Sequence, residues 1–181
     1  MSEKNICEKI LFSQERIAER VSSIGKQISE EYKDKEVIFV SILNGSFMFT
    51  SDLMKCITID CLVDFMQIST YGNDTSTSDN FLLKKDLSLD IKGKDIIVVE
   101  DIIDSGYTLS QLKEYLEAKN PSSLKIATLI DKPARRKNEV KADYVGFVMD
   151  EDYFIVGYGL DFAQKYRNLP YIGVLEEHIY S

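Results

Sequence analysis

The chain is poor in the residues on which several common chemistries depend. It has one histidine, His178, almost at the C-terminus. A Ser-His or Cys-His nucleophile pair would have to use it, and a residue placed there reads instead as part of a surface tail. The three cysteines, Cys7, Cys56 and Cys61, form no Cys-x-x-Cys and have no zinc-site spacing. Free thiols in a reducing, cytoplasmic setting are therefore expected. No apolar run reaches the length of a membrane span. Met1 to Ile10 carry mixed charge and no apolar stretch, so no secretory signal is expected. Positive charge is scarce as well: 22 Lys and Arg stand against 30 Asp and Glu, a net charge of −8. That balance argues against nucleic-acid binding as the main task. It also means that a polyphosphate site must gather positive charge locally, from amides, metal ions and a few Lys or Arg. Neither GxxxxGK[ST] nor GxGxxG occurs, which leaves P-loop and dinucleotide enzymes unsupported.

What is present fits one soluble domain spanning 1–181, with 44% hydrophobic and 29% charged residues. Such a length can bury a real core. Ser13 can cap a helix over 13–32, where Ile17, Val21, Ile24 and Ile28 fall at helical spacing. Glu36 to Leu43 is a β-branched apolar run, broken by Asn44-Gly45-Ser46; Phe47 to Lys55 reads as the next helix and Thr58 to Ser69 as a long strand. Residues 70–80, TYGNDTSTSDN, hold no core-forming position. They read as a long exposed loop, the kind of segment that serves as a lid. Ile96 to Val99 suits a strand buried on both faces. Tyr107 to Lys119 is helical, with Leu109, Leu112 and Leu116 on one face, and Asn120-Pro121 stops it before a strand at Leu124 to Ile130. Strand, helix, strand over 96–130 is the βαβ unit of an open α/β sheet. From Asp143 to Leu175 the pattern is short strands and turns.

The most informative stretch is VVEDIIDSGYT, Val98 to Thr108. It joins the end of a buried strand to the start of a helix, where open α/β sheets bind ligands. The first helical turn offers free N–H groups and the positive end of the dipole. Gly106 lets a phosphate approach the backbone, and Ser105 and Thr108 add hydroxyls. Three acids, Glu100, Asp101 and Asp104, flank this anion cradle. Acids there make sense if they bind ribose hydroxyls, hold Mg²⁺ or take a proton. An ordinary helix cap would account for Ser105 alone but not for three acids alternating with apolar residues.

This string resembles the phosphoribosyl pyrophosphate signature of the type I phosphoribosyltransferases. LNGS at 43–46 is similar to their pyrophosphate loop, and STYGNDTSTSD at 69–79 to their catalytic lid. DKPARR at 131–136 and DYFIVGYGLDFAQKYRNLPYIGVL at 152–175 resemble the hypoxanthine-guanine branch. The resemblance implies an α/β fold: an open, mainly parallel sheet flanked by helices, its core at about 36–150, with a small hood formed by the termini. It implies Mg²⁺-dependent purine salvage, joining hypoxanthine or guanine to phosphoribosyl pyrophosphate and releasing pyrophosphate. Asp104 would be the general base. Glu100 and Asp101 would lie along the ribose hydroxyls and their Mg²⁺, and residues 104–108, Tyr107 through its backbone alone, would hold the 5′-phosphate. Lys132, Phe154, Ile155 and Asp161 would meet the purine, Asp161 also near a second Mg²⁺. Asn44, Gly45 and Arg167 would meet pyrophosphate, with a cis Leu43–Asn44 peptide, and Thr70 and Tyr71 would close over the reaction. A homodimer or homotetramer is implied, with no nucleic-acid or membrane partner. Two alternatives stay open: a xanthine-guanine enzyme, and an RNA-binding nucleotide sensor on the same fold. Asn44 stands where many relatives carry Lys, and the lid lacks a glycine that relatives often show.

Overall fold

The computed structural model describes residues 6–71 and 80–180, without the side chains of residues 70, 71, 80 and 81. Strand β1 (Cys7–Phe12) and helix α1 (Gln14–Glu31) open the chain, followed by β2 (Val37–Leu43), α2 (Phe47–Lys55), β3 (Cys61–Tyr71) and β4 (Asn80–Lys85). Next come β5 (Asp95–Ile103), α3 (Tyr107–Glu117), β6 (Ser123–Asp131), a single 3₁₀ turn at Pro133–Arg135, and β7 (Tyr144–Val148). The short β8 (Ile155–Val156), β9 (Ile172–Leu175) and α4 (Glu177–Tyr180) close it.

Six strands form the central sheet in the order β4-β3-β2-β5-β6-β7, all parallel except the edge strand β4. Alternation sorts its side chains between two cores. Phe39, Ile97 and Val99 pack with Ile17, Val21 and Leu53 of α1 and α2. Ile38, Val40, Ile96 and Val98 pack with Leu109, Leu112 and Leu116 of α3. This is why Ile96–Val99 has no polar position: both of its faces are covered. Each fully buried side chain of this size contributes roughly 1.5–3 kcal/mol of transfer free energy. Strand β1 pairs with β9, and β9 with β8, in a separate antiparallel sheet where the hood is expected.

The helical readings are close to what forms. Ser13 caps α1 by accepting from the Arg16 amide at 3.3 Å, and α3 ends two residues earlier than its pattern. Two strand readings are corrected. The strand expected over 58–69 starts at Cys61 and runs on to Tyr71, where Tyr71 pairs with Asn80 of β4. The ends of the expected 70–80 loop are thus ladder residues, because backbone pairing is indifferent to polar side chains on an edge. The rest of that loop, 72–79, and the lid reading placed on it lie outside the described residues. Strand β5 also outlasts its apolar run: Glu100, Ile102 and Ile103 pair with Thr128, Ile130 and Asp131 of β6.

That extension shapes the molecule. The β2–β5 ladder ends at Ser41 opposite Val99, whereas β5–β6 continues to Ile103. Residues 100–103 are therefore flanked on one side only. A crevice opens at the carboxyl ends of β2 and β5, where the strand order reverses direction.

Asp64 braces the outer strands. It is 4% exposed and accepts from the amides of Phe65 (2.8 Å), Ser88 (2.6 Å) and Leu89 (2.8 Å). Burial alone would raise its pKa, but these amides and Lys85 outweigh it and hold the carboxyl below its usual value. A depressed folded-state pKa contributes stability above the unfolded value that fades as pH falls through the folded one. Asp64→Asn, which turns an NH₂ toward amide donors, is expected to cost about 1–3 kcal/mol at neutral pH. In urea unfolding its deficit should shrink below about pH 4; a deficit constant with pH would rule out the charge as its cause.

Candidate active site

The crevice is lined by the turns leaving β2 and β5. After β2 the Leu43–Asn44 peptide is cis, as expected, and Gly45 follows. A Cβ on Gly45 would lie 1.6 Å from Asp101 Oδ2, and one on Gly159 would lie 2.1 Å from the Gly45 carbonyl oxygen. Gly45 is therefore the place where the β2 turn, the acid of β5 and the hood-side turn at 157–160 come within contact of one another. After β5 the chain bends through Asp104, Ser105 and Gly106, and Gly106 takes a left-handed φ of 79° as the N-cap of α3. It brings no side chain to cap that helix. The first turn of α3 borders the crevice with Ser105 and Thr108, and Ser105 Oγ accepts from the Tyr107 amide at 3.4 Å.

Two adjoining cavities result. The first, about 470 Å³, is walled by Asn44, Gly45, Glu100, Asp101, Asp104, Ser105, Gly106, Thr108, Asp161 and Arg167. The second, about 390 Å³, is walled by Asp101, Asp104, Lys132, Arg135, Asp152, Phe154, Ile155, Asp161 and Tyr180. Asp101, Ile102, Asp104 and Asp161 belong to both and form the junction. A larger hollow of about 810 Å³, lined by Lys26, Lys33, Asp34 and Asp60 among others, contains none of these residues and no phosphate-binding turn. Size alone would have misplaced the site.

The electrostatics of the first cavity are uneven. Its described walls hold four carboxylates, Glu100, Asp101, Asp104 and Asp161, and one cation, Arg167. Burial, then repulsion from Asp101, pushes the Glu100 carboxyl well above the usual carboxylate range. Burial also raises Asp101, against hydrogen bonds from Glu100 and the Ile102 amide that pull it down. Two desolvated acids side by side favour a proton or a divalent cation between them. No cluster of three or more His, Cys, Asp or Glu among the described residues closes around an ion. Asp161, expected as a further metal ligand, stands apart: its Oδ1 lies 2.8 Å from Arg167 Nη2 and its Oδ2 accepts from the Gln164 amide. Arg167 also donates to the Gly159 carbonyl at 2.6 Å.

The basic cluster after β6 divides by role. Lys132 is 4% exposed and donates to the Tyr153 carbonyl at 2.8 Å, with Asp152 at 3.6 Å. Arg136 is a brace that donates to Asp131, to the Val140 carbonyl and, at 3.2 Å, to the Asp104 carbonyl. Arg135 turns toward the second cavity. Phe154 is an open ring at that cavity, stacked on Tyr180 at 5.1 Å between centroids and edge-on to Phe162 at 5.6 Å. Ile155, a residue of β8, has its side chain buried.

Sequence reasoning named most of these walls. Tyr107 opens α3 without lining the first cavity. Thr70 and Tyr71 end β3, their side chains outside the described residues. It missed Ser69, whose buried hydroxyl at the first cavity finds no partner among the described residues. It also missed Arg135, Asp152 and Tyr180. Only an isolated aromatic in a polar tail hinted at the last, and nothing local marked the others. His178 is exposed and 3.0 Å from Glu176, a tail residue as expected, and the three cysteines are free.

Comparison with known proteins agrees with this geometry. The family model of the phosphoribosyl transferase domain matches residues 9–163. The chain is 46% identical over 178 residues to the hypoxanthine-guanine phosphoribosyltransferase of Bacillus subtilis, covering 98% of each. It is 44% identical over 177 residues to the bifunctional protein TilS/HprT of Listeria monocytogenes, of whose length it spans 27%. The crystal structure of a hypoxanthine phosphoribosyltransferase from Staphylococcus aureus superposes with a TM-score of 0.94 at 42% identity, covering 98% of this chain and 96% of that one.

The contact at Gly45 gives a local test. Gly45→Ala pushes a methyl into the Asp101 carboxylate and is expected to destabilise the fold by about 1–3 kcal/mol. Asp101→Ala in the same chain should recover part of that loss in urea unfolding. Simple additivity of the two changes would show that the clash lies elsewhere.

Proposed function

The chain belongs to the phosphoribosyl transferase domain family, and from that premise we propose that it serves purine salvage, transferring the phosphoribosyl group from phosphoribosyl pyrophosphate to hypoxanthine or guanine. The products are IMP or GMP and pyrophosphate. The observation that carries the reading is the junction of the two cavities at Asp101 and Asp104. The first cavity, with its helix N-terminus, takes the phosphorylated sugar; the second, with Lys132 and Phe154, takes the base; the new bond forms where they meet.

Each residue then has a task. The turn at 104–108 holds the 5′-phosphate through amides and the hydroxyls of Ser105 and Thr108. Glu100 and Asp101 lie along the ribose hydroxyls. Asn44, Gly45 and Arg167 face the pyrophosphate. One arginine against four carboxylates cannot neutralise that leaving group, so the site calls for added cations. Glu100 and Asp101 fit Mg²⁺, a hard ion commonly held by one or two carboxylates with substrate oxygens and water. When bound, Mg²⁺ neutralises the departing pyrophosphate. Asp161, tied to Arg167, orients that side chain and borders the base.

Departure of pyrophosphate leaves an oxocarbenium-like ribose, which N9 of the purine captures as in glycosyl transfer. Asp104 accepts the purine proton at N7 as the bond forms. Lys132 has three donors, and with one on the Tyr153 carbonyl another is free for the purine O6. Adenine presents an amino donor there, so an ammonium rejects it. Phe154, one face already covered by Tyr180, offers its other face to the base. The backbone at Ile155 reads the base edge. Thr70 and Tyr71 close over the reaction, where the activated sugar has to be kept from water. Exposed Leu62, Val63 and Phe65 on β3, with Leu82 on β4, favour self-association into a homodimer or homotetramer. A monomer in sedimentation velocity at assay concentration would overturn that assembly.

An assay with phosphoribosyl pyrophosphate, Mg²⁺ and each of hypoxanthine, guanine, xanthine and adenine tests the whole reading. Turnover of the first two and not adenine is expected. Turnover confined to xanthine and guanine would move the base preference, and none at all would refute the activity. Asp104→Asn keeps the shape and removes the base, and should slow nucleotide formation on the order of 10²–10⁴-fold. An unaltered rate would strip Asp104 of that role.

A further inference from the structure

The 3₁₀ turn Pro133–Arg135 follows β6 directly and has Lys132 at its N-cap. Such a turn repeats every three residues, so side chains three apart lie over one another. Lys132 points into the second cavity, and Arg135 accordingly comes to the same cavity. There its guanidinium spans two carboxylates from different parts of the fold. Nε lies 2.9 Å from Asp104 Oδ1, and Nη1 donates to Asp152 Oδ1 at 2.7 Å. One acid belongs to the bend after β5, the other to the segment before β8.

Asp104 is held unevenly. Its Oδ1 is shielded from solvent and receives no hydrogen bond of proper direction, so the Arg135 contact is an ion pair. Yet the Asp104 side chain as a whole is 40% exposed. With Oδ1 buried, that exposure falls on the rest of the carboxyl end, Oδ2 included. Oδ1 thus faces a cation within the protein, while the side chain as a whole lines both cavities.

We propose that Arg135 is a positioning residue for Asp104: the guanidinium fixes Oδ1, Asp152 fixes the guanidinium, and Oδ2 alone is turned to the purine proton. The inference rests on Asp104 being the general base. A carboxylate that rotates freely presents either oxygen, at a distance that varies with each rotation. Clamping one oxygen sets the direction of the other, and misplacing a reacting group by about 1 Å can cost on the order of 10²-fold in rate. A planar fork can bridge two acids at a set separation, which a lysine's single ammonium does less well. Arg135 and Asp152 are 50% and 67% exposed, so the bridge itself adds little to folding. Their arrangement makes sense as orientation of Asp104.

The test measures single-turnover nucleotide formation from hypoxanthine for Arg135→Ala, Arg135→Lys and Asp104→Asn, and for Arg135→Ala combined with Asp104→Asn. Arg135→Ala should slow the step on the order of 10-fold, with the KM for phosphoribosyl pyrophosphate and the melting temperature unchanged. Arg135→Lys should recover part of the rate. In the Asp104→Asn background, removal of Arg135 should change nothing further, because it acts through Asp104. An undiminished rate in Arg135→Ala, or an equal fold loss in both backgrounds, would overturn the proposal. A normal rate for Asp104→Asn alone would instead sink the general-base reading on which it rests.

Discussion

The site depends on one mismatch of strand lengths. β5 stays paired with β6 as far as Ile103, but its ladder with β2 ends at Val99. Beyond that point the edge of β5 facing β2 has no neighbouring strand, and the chain leaving β2 turns away through Asn44 and Gly45. Acids can stand at 100 and 101 because they lie past the last position where both neighbours enclose the strand. One residue earlier, Val99 is wholly buried. The crevice, the helix N-terminus at Gly106 and the access of Asp104 to both cavities all follow from that offset.

The second constraint is charge. With 22 Lys and Arg against 30 Asp and Glu, the chain sets few positive groups at the crevice. The first turn of α3 adds the positive end of its dipole, with Ser105 Oγ accepting from the Tyr107 amide at 3.4 Å. Arg167 is held by the Gly159 carbonyl and Asp161, so its guanidinium is fixed before any ligand arrives. Lys132 is buried with its ammonium on a carbonyl, spending one donor to orient the others. The acids Glu100 and Asp101 then stand as hard oxygen donors in a desolvated place, which suits a divalent cation far better than it suits two bare charges.

Much of this was legible residue by residue. The spacing of Ile17, Val21, Ile24 and Ile28 named the buried face of α1, and Ile96–Val99 named a strand covered on both sides. VVEDIIDSGYT announced a strand-to-helix turn flanked by acids. The misreadings have physical causes. Polar residues at 70, 71 and 80 pair in an edge ladder because hydrogen bonding between backbones asks nothing of side chains. Strand β5 was read too short because its acids end the apolar run, while the ladder with β6 runs on past them to Ile103. Arg135 and Arg136 are adjacent in the chain and alike in chemistry, yet one bridges acids at the second cavity and the other braces the bend at Asp104.

The sequence by itself determined the order of elements, the α/β class and the central motif with its acids and small residues. Those follow from side-chain periodicity and from short-range chemistry, which act between residues close in the chain. Only the tertiary structure decided which of them meet. The closeness of Gly45 to Asp101, the stacking of Tyr180 on Phe154 and the bridge from Asp104 through Arg135 to Asp152 join segments far apart in sequence. Such contacts are set by where strands end and how the hood packs, and no local pattern records them.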